Sequence, residues 1–174
     1  MYYAAVISDA KITISLTEKF LRHFNDSIKS VVVGTVPELM RQIESGELID
    51  VIIVEQTETM RFETVMRELN RSNVGLPIIL MSKDCNPKLM SSAINEHVNN
   101  YLSIDGREPA DYYKELVDLI TYTVERHRVQ EQHTLDTKRY SALVELAKFD
   151  QYDFQAIINY ALEKAIELTK SNIG

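Results

Sequence analysis

Four apolar runs in this sequence end in side chains able to do chemistry. Asp9 follows YAAVIS, Glu55 closes DVIIVE, Ser82 closes LPIILMS, and Ser103 to Asp105 follow NNYL. If these runs are parallel strands, their carboxyl ends open on one crevice, where ligand chemistry gathers in such sheets. An acid, a second acid and a hydroxyl would then face one another. Two carboxylates on one crevice can hold Mg²⁺, which takes one or two protein oxygens and keeps several waters. Polar residues collect at wet strand ends in any case; their shared placement is what favours a site.

The elements that would position these groups follow from the spacing of apolar residues. The runs at 3–8, 29–34, 51–54, 76–81 and 98–102 are short and nearly continuous in apolar residues, as suits strands covered on both faces. Between them the apolar positions step at helical spacing. Ile12, Leu16, Phe20 and Phe24 form one stripe, Leu39, Met40 and Ile43 a second, and Phe62, Val65, Met66 and Leu69 a third. Pro37 opens the second helix and Ser45-Gly46 stops it. Residues 87–97 read as a fourth helix, and a last one begins near Glu108-Pro109. Strands alternating with helices at this spacing predict βαβ units and a small doubly wound α/β domain with a five-stranded parallel sheet.

Composition bounds the function. The chain has 174 residues, 45% hydrophobic and 26% charged, with a formal net charge of −7. That balance fits a globular protein with a real core and disfavours general nucleic-acid binding, since phosphates would be repelled. No run approaches the ~20 apolar residues of a membrane span, and no secretion signal opens the chain. A single cysteine, Cys85, excludes an internal disulfide framework, and no Cys/His cluster has zinc-site spacing. A cytoplasmic protein is expected.

Taken together, the strand strings resemble those of receiver domains of two-component signalling, over residues 3–125. The family carries an acidic pair after its first strand, a phosphorylated aspartate after the third, a Ser/Thr after the fourth and a lysine after the fifth. Ser8-Asp9 matches the pair with one acid lost, DVIIVE puts Glu55 at the phosphoacceptor position, and LPIILMS puts Ser82 at the hydroxyl position. NNYLSID places Tyr101 at the switch aromatic, Ile104 where the lysine belongs and Asp105 at the usual proline. The Met-Pro and Gly that normally follow the acceptor are absent from QTETMRFET.

The resemblance implies a flavodoxin-like fold and a regulatory, non-enzymatic role. Phosphoryl transfer depends on positioning and charge stabilisation. Glu55 is one methylene longer than aspartate, and an oxygen misplaced by about an ångström can cost ~10²-fold. With the lysine gone as well, the expectation is a phosphorylation-incompetent pseudo-receiver, Glu55 holding a fixed negative charge near the phosphate position. No cofactor is expected beyond weak Mg²⁺ on Asp9. The alternative is an active, atypical receiver in which Asp9 and Glu55 bind Mg²⁺ and the strand-three acid accepts phosphate. An unrelated enzyme would need a phosphate-cradling glycine loop, and the five glycines are not clustered.

Beyond residue 124 the character changes. TVERHRVQEQHTLDTKR is polar on nearly every face, and no Pro or Gly occurs from Ala110 until Gly174. Such a helix bridges domains or forms one strand of a sparse coiled coil. The expected division is a receiver-like domain at 1–124, a signalling helix at 125–149 and the first helix of a further domain at 150–174, with Asp153 as a cap. The segment ALVELAKFDQYDFQAIINYALEKAIELTKSNIG resembles the first helix of a GAF sensory domain, with SNIG where a first strand would enter. This implies a piece of a longer sensor, such as a histidine kinase, acting through other signalling domains and a homodimer along the helix.

The remaining reactive residues have blander readings. His127 and His133 lie on the polar helix without the Glu-Leu-Arg type sequence of a kinase phosphoacceptor, and read as surface residues. His23 offers no further signal, and His97 stands where the family often has glycine, a packing or capping position. Cys85 would need cations nearby to be reactive, and Lys83 and Lys88 are too few. Tyr101, Tyr112 and Tyr113 read as packing between the last strand and helix.

Overall fold

The computed structural model describes residues 1–83, 86–148 and 154–169, without the side chains of Lys11, Ile14 and Glu18. Asp84, Cys85, Phe149, the Asp153 cap and SNIG lie outside the described residues. The chain divides into two compact units, Met1–Glu125 and Arg126–Gly174.

The first unit alternates strands and helices: β1 Tyr2–Ile7, α1 Lys11–Phe24, β2 Ile28–Val33, α2 Val36–Glu44, β3 Val51–Gln56, α3 Phe62–Arg71, β4 Ile78–Ser82, α4 Pro87–Asn95 and β5 Asn100–Ser103. Helix α5, Pro109–Leu146, begins in this unit and ends in the second. All strand pairs are parallel, in the order β2-β1-β3-β4-β5. This is the predicted flavodoxin-like doubly wound sheet, with its order reversing between β1 and β3.

The apolar strands are continuous because both faces are covered. Successive side chains of a strand point to opposite faces. Ala4, Val6, Val51, Ile53, Ile79 and Met81 therefore join one core with α1 and α5 residues such as Leu21, Leu116 and Ile120. Ala5, Ile7, Ile52, Val54, Ile78 and Leu80 join the other with Leu39, Phe62, Met66 and Leu89 of α2, α3 and α4. Ile52, Ile53 and Val54 are wholly buried, each contributing about 1.5–3 kcal/mol of apolar transfer.

The helix starts are chemically specified. Thr35 accepts the Glu38 amide at 3.4 Å, while the Glu38 carboxylate reaches back to the Gly34 amide at 2.9 Å, a reciprocal cap next to Pro37. Asn86 caps α4 through the Lys88 amide at 2.8 Å. Helix α3 has no cap on its own first residue; the Gln56 side chain accepts the Phe62 amide at 2.9 Å instead.

Two details depart from expectation. The inward face of α1 is turned by one residue: Ile12 is exposed, and Thr13, Thr17 and Leu21 are buried with Leu16, Phe20 and Phe24 alongside. Two threonines hid that face from an apolar count. Strand β5 starts at Asn100 and not Val98, because the Val98 amide donates back to the Ala93 carbonyl at 2.9 Å, closing α4. His97 forms that turn with φ of 60°, the left-handed conformation that glycine adopts most readily.

In the second unit α5 continues through the polar stretch, followed by α6, Phe154–Thr169, none of whose residues is fully buried. No helix among the described residues is long and apolar enough to cross a membrane.

Candidate functional site at the carboxyl ends of the strands

Glu55 stands two residues beyond Ile53 and so points to the α1/α5 face of the sheet. It is only 4% exposed, an unusual place for a carboxylate. The Ser8 hydroxyl, itself buried, donates a short hydrogen bond to Glu55 Oε2 and accepts the Ala10 amide at 3.0 Å. The serine that ends the β1 run thus donates a hydrogen bond to the carboxylate at the end of β3.

Asp9 is held elsewhere. The Thr57 hydroxyl donates to Oδ1 at 2.7 Å, and the Thr59 hydroxyl donates a short bond to Oδ2. The Thr59 bond first of all, with a lesser contribution from Thr57, keeps the Asp9 carboxyl below the usual range against an opposing effect of burial that lies between the two. Asp9 therefore pins the β1–α1 loop to the β3–α3 loop. The two carboxylates have separate hydroxyl partners, and no recorded bond links them. Sequence reasoning passed over Thr57 and Thr59; two hydroxyls spaced i, i+2 directly after β3 were the available signal.

Ser82 ends β4 in register with Gln56 and Ser103 and is fully buried. Ile104, directly after β5, is 6% exposed, and its side chain belongs to the α1/α5 core while its amide donates to the Ser82 carbonyl at 2.9 Å. Among the described residues no lysine or arginine forms an ion pair with Asp9 or Glu55. Arg107, three residues on, bonds the Ser103 carbonyl at 3.1 Å and Glu115 at 2.7 Å. Tyr101 packs half-buried on the α2/α3 side, whereas Tyr112 and Tyr113 lie on the α1/α5 side, so they form no single cluster.

The charge of the buried acid bears on both of those tyrosines. Burial first, and then the Glu55 charge, raise the Tyr112 phenol above its ordinary value. The Tyr113 hydroxyl meets Thr17 Oγ1 at 3.0 Å, and its ring stacks on Phe20 at 5.3 Å. Thr17 also donates to the Thr13 carbonyl at 2.7 Å. Polar residues of α1 thus join the root of α5 beneath the strand ends.

A divalent cation fits this arrangement poorly. Glu55 faces the core, and among the described residues no group of three or more His, Cys, Asp or Glu gathers. The Ser8 bond has a measurable consequence. Ser8→Ala leaves a buried carboxylate without its recorded donor and is expected to cost about 1–3 kcal/mol in urea unfolding. Ser8→Ala combined with Glu55→Leu should recover most of that loss, because the penalty belongs to the orphaned charge. A double variant no more stable than Ser8→Ala would contradict this account.

No family model matches the sequence, and no curated protein matches it. Solved structures do match in shape. A CheY-like response regulator receiver domain protein from Methanospirillum hungatei JF-1 aligns with TM-score 0.59 and 13% identity, covering 75% of this chain and 98% of that one. The signal receiver domain of an HD domain-containing protein from Pseudomonas fluorescens Pf-5 aligns with TM-score 0.57 and 16% identity over 74% and 98%. A DNA-binding response regulator of the LuxR family from Staphylococcus aureus gives 0.57 and 15% over 71% and 99%. At such identities the likeness establishes the fold: Met1–Glu125 is built like a receiver domain.

Proposed function

We propose that this chain is a regulatory, receiver-like module of a two-component or phosphorelay signalling protein, and that it works without accepting phosphate. The observation that carries this is the pairing at the strand ends: a buried Glu55 already bonded by Ser8, and a buried apolar Ile104 where the phosphate-binding lysine would stand. An incoming phosphoryl group would meet a fixed negative charge and no recorded cation, the reverse of what phosphoryl transfer requires. The module is not an enzyme in this reading; Glu55 is a structural charge in a position that elsewhere is written by phosphorylation.

Output runs through α5, which carries Tyr112 and Tyr113 beside the strand ends and continues as one 38-residue helix. Two copies pair along it, and α6 is the first helix of a GAF-like sensory domain in a longer, cytoplasmic sensor of the histidine kinase type. Active phosphate acceptance on the strand-three acid is the competing reading, and the intact-mass experiment separates the two. After incubation with acetyl phosphate and Mg²⁺, the 174-residue chain is expected to keep its mass. A stoichiometric phosphate adduct mapped to Glu55 overturns the proposal. Calorimetry is expected to find Mg²⁺ binding weaker than about 100 μM; tighter binding that disappears in Asp9→Ala would favour the active reading.

A further inference from the structure

A crevice of about 340 Å³ opens on the α2/α3 side of the sheet, away from Glu55. It lies beside the β1–α1 and β3–α3 loops, which flank the reversal of strand order where doubly wound sheets gather ligands. Its volume is at the small end of the range for metabolite pockets. The floor is apolar: Ile7, Val36 and Val65 are all buried. The rim carries Asp9, Arg61 and Glu68.

We propose that this crevice binds a free aliphatic α-amino acid, its ammonium on Asp9 and Glu68, its carboxylate on Arg61 and its side chain on the apolar floor. Asp9 is kept ionised by the Thr59 and Thr57 hydroxyls, so the anionic side is preset. The Arg61 guanidinium has no hydrogen bond or ion pair among the described residues, and a guanidinium takes a carboxylate in two parallel bonds. The Glu68 carboxylate likewise has no side-chain partner there. Other ligand classes fit less well. A phosphorylated ligand would meet two carboxylates, and the Gly34 amide at the nearby α2 start is already donated to Glu38. A polyamine would be repelled by Arg61, and among the described residues no aromatic side chain lines the crevice for a base or ring to stack on. Because Asp9 also joins two loops through the threonines, occupancy would bear on their position. The inference does not depend on the phosphorylation reading and stands or falls separately.

Titration calorimetry of the 174-residue chain tests it with L-leucine, L-isoleucine and L-valine as probes. Isoamylamine lacks the carboxylate and 4-methylpentanoate lacks the amine. At least one amino acid is expected to bind with Kd of about 0.1–1 mM, and each comparator about tenfold or more weakly. Arg61→Ala should weaken the amino acid by about tenfold with an unchanged melting temperature, since its side chain is exposed and has no partner among the described residues. Thr64→Arg, on the exposed wall of the crevice, should block binding while leaving the fold intact. The proposal is overturned by no binding of any of the three up to about 20 mM. It is equally overturned by a comparator that binds as well, or by binding indifferent to Arg61→Ala.

Discussion

Tyr113→Ala is expected to lower the unfolding free energy of the receiver-like unit by about 3–5 kcal/mol, a large share of the total stability of a typical domain. The ring is wholly buried, stacks on Phe20, lies 4.8 Å from the Tyr112 ring and carries the hydroxyl that meets Thr17. Removing it opens a cavity between α1 and α5 that neither helix can close without leaving the sheet. Tyr113→Phe keeps the packing and should cost only about 0.5–1.5 kcal/mol, because Thr17 still donates to the Thr13 carbonyl.

The same residue sets an alkaline limit. Burial pushes the Tyr113 phenol up to about 12; the Thr17 hydroxyl opposes this, and Tyr112 and Glu55 add to it. The phenol is neutral when protonated, and its folded-state value lies above the unfolded value of 10.0. Its contribution is therefore complete below pH 10 and is lost as pH rises through about 12. A shift of about two units corresponds to about 2–3 kcal/mol at full loss. Urea midpoints should fall more steeply across this window in the wild type than in Tyr113→Phe. Equal slopes would assign the alkaline sensitivity to other groups.

A second large effect is expected in solution mass. The chain should pass from monomer to dimer in the micromolar range, and Leu143→Glu with Val144→Glu should hold it monomeric. Helix α5 is about 57 Å long at the usual rise per residue. In its second-unit portion Val129, Tyr140, Leu143 and Val144 are all exposed. Helical propensity alone holds so long a span poorly in water, so a parallel partner helix is expected. The seam is sparse: His127 and Thr134 interrupt it, and polar seam residues lower stability. Thr123 is no part of that seam, since it is buried and accepts the Asn100 side chain at 2.6 Å. Light scattering that gives a monomer mass at several hundred micromolar, or a dimer untouched by the two glutamates, would remove the coiled-coil reading.

The strands, the parallel sheet and the receiver-like architecture were legible in the sequence. Buried strands such as VIIV and PIILM must be apolar on both faces, and a pattern forced by burial can be read without coordinates. The strand-end residues were legible for the same reason, because chain order alone places Asp9, Glu55 and Ser82 at one end of the sheet. Ile104 was legible as an apolar residue directly after the last strand from its place in NYLSI.

Partners were another matter. Which hydroxyl bonds which carboxylate depends on side-chain direction and on contacts between residues 47 to 50 positions apart. Only the assembled sheet decided that Ser8 would serve Glu55 while Thr57 and Thr59 took Asp9. The inward face of α1 was likewise hidden, because Thr13 and Thr17 are polar by type yet buried, the Thr17 hydroxyl meeting Tyr113 and the Thr13 carbonyl. Periodicity records which residues avoid water on their own account; a polar residue buried by a tertiary hydrogen bond leaves no such record.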